Sequence, residues 1–175
     1  MVYHSTFTDE EGAQQACGLT IFPLRTSTRG PAAAIETGKE DILDEALTCF
    51  RANVLFRKFE VKGSSDKLLV YLTLFISLCL KKLEGCKSDA EGVKVLIMMG
   101  LDKFALPGEP GFPLNALFSP ARTKDEADLF RSYLKQAREE TSSRLLEKCF
   151  SPDGSPNKWW LAFSKRKFMN LALTS

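Results

Sequence analysis

The 175-residue sequence contains one histidine, His4, three residues from its start, and its five cysteines form no Cys-x-x-Cys pair. A Ser-His-Asp or Cys-His arrangement would therefore hang on a single residue at a chain end, where order is lowest. A lone His with scattered cysteines cannot build a zinc site of ordinary spacing. Gly38-Lys39 has the form of the end of a phosphate loop. However, position 33 is Ala where that loop needs Gly, and position 40 is Glu where it needs Ser or Thr. No GxGxxG, EF-hand or HExxH pattern occurs. The residues thus offer no place to assemble catalysis or hold a cofactor, and a non-enzymatic protein is expected.

Charge of one sign is also scarce. The formal net charge is +2, too small for a surface that grips a polyanion, so nucleic-acid binding is not expected. The longest apolar run, Leu68 to Leu80, has eleven apolar residues of thirteen between Asp66-Lys67 and Lys81-Lys82. A span needs about 20, so membrane insertion is not expected. The polar start, MVYHSTFTDEEG, has no secretory-signal pattern, which points to a reducing cytosol and free thiols.

What is present is ordinary for a folded domain: 44% apolar and 26% charged residues. The length suits one domain, 1–175, able to hide about 70% of its unfolded surface. Residues 1–38 lack helical periodicity and read as an extended N-terminal segment, with LTIFPLR (19–25) a short extended piece and RGPAAAIETG a linker. A first helix starts near Thr37 or Glu40, with Thr37-x-x-Glu40 in capping-box form and Leu43, Ala46, Leu47, Phe50 and Val54 on one face. Its acids, Asp41, Asp44 and Glu45, are read as favourable charges at the positive end of a helix dipole. The apolar run lies on a second helix, roughly 66–84. A helix apolar nearly all round must be buried on all sides. Ser88-x-x-Glu91 caps a third helix through Val93, Leu96 and Ile97, with Gly100 as its C-cap. Thr123-x-x-Glu126 opens the longest, to about Cys149, with Phe130, Leu134, Ala137, Thr141 and Leu145 as its buried stripe and Glu140–Arg144 as an i,i+4 pair. A fifth helix starts at Ser155-Pro156, with Pro at its favoured first position. The predicted fold is all-α: about five helices, with a central apolar helix enclosed by the others.

Two segments break this pattern. Residues 101–122 form a proline-rich strap: residues 105–121 hold four of the eight prolines together with Leu106, Phe112, Leu114, Leu117 and Phe118. It is too apolar for disorder and should lie extended on a surface, that of its own domain or that of a partner. The tail, 156–175, carries Trp159 and Trp160 with Lys158, Lys165, Arg166 and Lys167 and no acid. On a continuous helix these basic and apolar groups interleave around the axis, unlike a membrane-surface helix, which segregates them. Large aromatics beside basic residues suit a protein interface. Alternatively Trp160 and Phe163 close the domain's own core. The candidate partner interface is Lys158, Trp159, Lys165, Arg166 and Phe168 of the tail, with Pro107, Glu109 and Phe112 of the strap.

Read in order, these pieces resemble a known family. Tyr3-His4-Ser5, Gly30-Pro31-Ala32, Asp41-Ile-Leu-Asp-Glu-Ala46, Arg51-Ala-Asn-Val-Leu-Phe56, Pro107-Gly-Glu-Pro-Gly-Phe-Pro-Leu-Asn115, Arg138-Glu-Glu-Thr141, Lys158-Trp-Trp160, Lys165-Arg166 and Phe168-Met-Asn170 are together similar to subunit 3 of the actin-related protein 2/3 complex. Ala33 departs from the proline expected after Gly30-Pro31-Ala32, which bears only on the stiffness of the linker. The resemblance implies a helical, non-catalytic subunit of a hetero-oligomer in the cytoplasmic actin cytoskeleton. Such a subunit would dock chiefly on actin-related protein 3 and meet the filament through the assembled complex. A free-standing helical adaptor is the alternative.

Overall fold

A computed structural model describes residues 1–26 and 28–174. Among the described residues, the elements in chain order are β1 (Gln15–Ala16), β2 (Leu19–Thr20), α1 (Ile42–Asn53), α2 (Ser64–Leu83), α3 (Asp89–Leu101), α4 (Lys124–Cys149) and α5 (Lys158–Leu161). The last runs into a 3-10 turn, Ala162–Lys165. The chain is mostly helical. The all-α expectation needs one correction: β1 and β2 pair antiparallel, with Ala16 opposite Leu19. Cys17 and Gly18 make the turn between them, both at positive φ.

Helix α1 starts later than the sequence suggested. Asp41, not Thr37, is its N-cap, and Asp41 and Asp44 exchange side-chain-to-backbone hydrogen bonds in a capping box made entirely of aspartates. Its inner face, Leu43, Ala46, Leu47 and Phe50, is buried as the periodicity implies. Ser88 and Thr123 do cap α3 and α4, each accepting from the backbone N–H three residues on. Gly100 is inside α3 rather than its C-cap; that position is Asp102. The stripe Phe130, Leu134, Ala137, Thr141 and Leu145 of α4 is buried.

Every residue of α2 from Leu68 to Leu80 is buried. Helices α1, α3, α4 and α5, the strand β2 and the 3-10 turn all pack against it. Thr73 satisfies its hydroxyl on the Leu69 carbonyl one turn back, 2.7 Å away. Helix α3 closes on the bundle through Gly92, where an added Cβ would lie 2.9 Å from the Phe150 ring and 3.1 Å from both Leu146 and Leu83. A side chain there would hold the helices apart.

The N-terminal segment is held rather than loose. His4 Nδ1 lies 2.8 Å from Asp66 Oδ2, the Ser5 N–H donates to Asp66, the Thr6 N–H donates to Glu45, and Tyr3 exchanges two hydrogen bonds with Asn53. His4 therefore joins the N-terminal segment to the start of α2. The segment read as a linker is also anchored: Gln136 of α4 accepts from the Ala32 N–H and donates to the Thr28 carbonyl. Gly30 passes so close to Gln136 that no side chain would fit between them.

Candidate docking surfaces

The tail begins where α4 ends. The Asn157 N–H donates to the Cys149 carbonyl, its amide donates to the Lys148 carbonyl, and its side-chain oxygen accepts from the Trp159 N–H. Asn157 thus both caps α5 and fixes it to α4. Helix α5 starts two residues later than predicted, because Pro156 bridges to Phe150 in a short extended pairing instead of entering the helix.

The tail is not one helix. After one α-turn it tightens to 3-10, becomes extended at Arg166, and reverses at Met169 and Asn170, which take positive φ. The Met169 N–H donates to the Phe56 carbonyl, fixing this reversal near the end of α1. The arrangement of residues 158–168 around a single helical axis therefore does not exist.

The two tryptophans part company. Trp160 is buried, stacked parallel to Phe50 at 6.0 Å between ring centres, with the Arg51 guanidinium 5.0 Å from its ring. Phe163 meets the same Phe50 edge-on. Trp159 faces out and is 80% exposed. Lys158, Lys165 and Arg166 are exposed too, and among the described residues none of them has a carboxylate within salt-bridge distance. Phe168 is a correction: it is buried edge-on against Phe59 and offers no side chain at the surface.

The strap lies on its own chain. Phe112 stacks on Tyr71 of α2, and Phe118 bridges edge-on from Phe112 to Phe130 of α4. Leu106 and Leu114 are buried beside them. The Glu109 carboxylate turns back to accept from the Leu106 N–H, and Asn115 accepts from the Gly108 N–H. Pro107 and Phe112 are therefore packed inside and, like Phe168, are corrected as surface candidates. Glu109 stays half-exposed, with Arg131 at 3.7 Å.

Two further features escaped the sequence reading. Val93, Ile97, Met98 and Leu101 of α3 are exposed, a face the sequence reading of this helix did not assign. Val93, Ile97 and Leu101 border a groove of about 440 Å³ between α3 and α4. The only signal in the sequence was quantity: α3 holds more apolar residues than one buried face can use. The second feature is an ion cluster. Arg144 donates to both oxygens of Asp41 at 2.6 and 2.9 Å, to Asp44 at 3.1 Å and to the Arg25 carbonyl at 2.5 Å, with Glu140 at 3.6 Å. Burial would raise the Asp41 carboxyl. The hydrogen bonds from Arg144 and from the backbone of Asp44 and Arg25 override that and hold it below its ordinary value.

The cysteines are free. Burial pushes Cys17 up to about 11 and Cys149 up to about 12, and raises Cys79 further, so these thiols stay protonated and inert. Among the described residues, no group of three or more His, Cys, Asp or Glu side chains converges as a metal site. Among the described residues, no helix is long and apolar enough to cross a membrane.

Residues 1–173 match the family model P21-Arc, described as the ARP2/3 complex ARPC3 (21 kDa) subunit. The chain is 56% identical over 173 residues to actin-related protein 2/3 complex subunit 3 of Arabidopsis thaliana, covering 99% of each chain. It is 47% identical over 176 residues to the protein of that name in Dictyostelium discoideum, covering 99% of this chain and all of the relative. With the protein of the same name in Schizosaccharomyces pombe it shares 43% over 173 residues, 98% of each. The chain belongs to the P21-Arc family of ARP2/3 complex ARPC3 subunits.

Proposed function

We infer that the chain is a non-catalytic structural subunit of an actin-related protein 2/3 complex, contributing to actin filament nucleation and branched-network assembly through protein–protein contacts. The observation that carries this is family membership over nearly the whole chain. In this reading residues 1–175 are one domain, α2 is its enclosed central helix, and the protein acts in the cytoplasmic actin cytoskeleton. It docks chiefly on actin-related protein 3 and reaches the filament through the assembled complex.

The proposed interface is the outer face of the tail: Trp159 with Lys158, Lys165 and Arg166, joined by Glu109 of the strap. Two things support it. An exposed tryptophan beside unpaired basic groups is the composition of interface anchors. The rest of the tail, Asn157, Trp160 and Phe168, is fixed on the body of the chain, so the outer residues are presented on a rigid base. The non-catalytic reading is supported by the placing of His4, which is engaged with Asp66 at the N-terminal segment rather than beside a nucleophile.

The test is reconstitution. A complex assembled without this chain should nucleate and branch filaments more slowly than the full complex, and adding the chain back should restore the rate. The isolated chain should do neither. Full nucleation and branching without it would favour the free-standing adaptor.

A further inference from the structure

Arg138 of α4 is a buried cation with no anion beside it among the described residues. It is 6% exposed, and its guanidinium is held between the Phe75 ring at 4.7 Å and the Phe104 ring at 4.4 Å. One nitrogen donates to the Tyr71 hydroxyl at 3.2 Å. Among the described residues it has no other hydrogen-bond partner and no carboxylate within 4 Å. That contrasts with Arg144 less than two turns further on, which is surrounded by acids. Aromatic faces stabilise a buried guanidinium only in part, so a carboxylate brought to it would find an unspent, weakly hydrated charge.

Arg138 forms part of the wall of the groove between α3 and α4. The other charges lining it are Lys135 and Glu139, which face each other at 4.0 Å and largely cancel. The rest of the lining is chiefly apolar. Val93, Ile97 and Leu101 stand at four-residue intervals along the rim, a stripe of about 12 Å at 1.5 Å rise per residue. An apolar strip of that length suits about two turns of a helix laid alongside it.

We propose that this groove docks an amphipathic segment of a neighbouring subunit, whose apolar side chains cover Val93, Ile97 and Leu101 while one Asp or Glu among them pairs with Arg138. The choice of occupant rests on the complex-subunit reading above, and its acidic character on the missing counter-charge. The site is separate from the tail interface.

Ile97 is 59% exposed, so changing it leaves folding intact and tests docking directly. Retention of Ile97→Glu and Ile97→Lys chains on the remaining subunits should be measured beside the wild type, with thermal unfolding of each isolated chain. Both should unfold like the wild type. Ile97→Glu should lose about tenfold or more in retention, because its carboxylate repels the incoming acid and competes for Arg138. Ile97→Lys should lose severalfold less. Equal losses overturn the acidic partner, and undiminished retention of both overturns the groove. A photo-crosslinking residue at Leu101, which lines the groove and is exposed, should label a peptide of another subunit with an acid among apolar residues in the assembled complex; labelling of actin, of a second copy, or of nothing overturns the assignment. Failure of the wild-type chain itself to be retained would refute the subunit reading instead.

Discussion

Arg144 and Asp41 show how one residue can have two duties. Asp41 caps α1 and, with its side chain fully buried, also receives both guanidinium nitrogens of Arg144 from α4. Removing one partner of a buried pair leaves the other charge stranded, typically at a cost of 3–5 kcal/mol, roughly. Arg144→Met should therefore lower unfolding stability by about that much, read by denaturant titration. Asp41→Asn keeps a cap acceptor and should cost less. The folded-state carboxyl of Asp41 lies below its ordinary value of 3.8, so its contribution is complete above that value and is lost as the pH falls through the depressed one. The stability gap between wild type and Asp41→Asn should accordingly be constant near neutrality and close in acid. Neither role was visible in the sequence. An aspartate-only capping box departs from the Ser/Thr–Glu template, and the pair joins residues 103 positions apart.

At the level of elements, what could be read from the sequence was what local periodicity and capping chemistry determine. The α2 run, the α4 stripe and the caps at Ser88 and Thr123 all rest on residues spaced no more than about one turn apart. What escaped depends on distant neighbours. Spacing alone does not choose among the apolar residues of α3; the helix turns Gly92, Leu96 and Met99 inward, because the missing side chain of Gly92 lets that face approach Leu83, Leu146 and Phe150. The tail likewise had the composition of a helix, but the pull of Trp160 and Phe168 into separate pockets bends it out of one. For α2 the consequence is severe intolerance to charge. Ile76 is completely buried, and Ile76→Asp would place a carboxylate there without a designed partner, costing several kcal/mol, roughly. Set against a typical domain stability of about 5–15 kcal/mol, that should abolish a normal thermal transition. Near-wild-type unfolding of this variant would count against α2 being the enclosed centre of the fold.

For the whole molecule, the division within the tail predicts two separable failures. Trp160 is part of the core through Phe50, so Trp160→Ala should destabilise the isolated chain by about 3–5 kcal/mol. Trp159 makes no such contact and is almost wholly in solvent, so Trp159→Ala should change stability by no more than about 0.5 kcal/mol. If it anchors a partner, the same change should cost about 2 kcal/mol or more in assembly. Lys165→Glu with Arg166→Glu should likewise spare folding, since exposed charges contribute little to it. It should weaken retention on the rest of the complex, and more so at low salt, where the reversed charges act over a longer range. Thermal unfolding of each isolated variant, set beside its retention at two salt concentrations, separates the effects. Trp160→Ala should move the first measurement, and the outward-facing variants only the second. Unchanged retention of Trp159→Ala and of the double reversal would reduce the outer face of the tail to a solvated surface. Its inner face would then serve as a lid on the core, leaving the groove beside α3 as the surface through which the chain joins its complex.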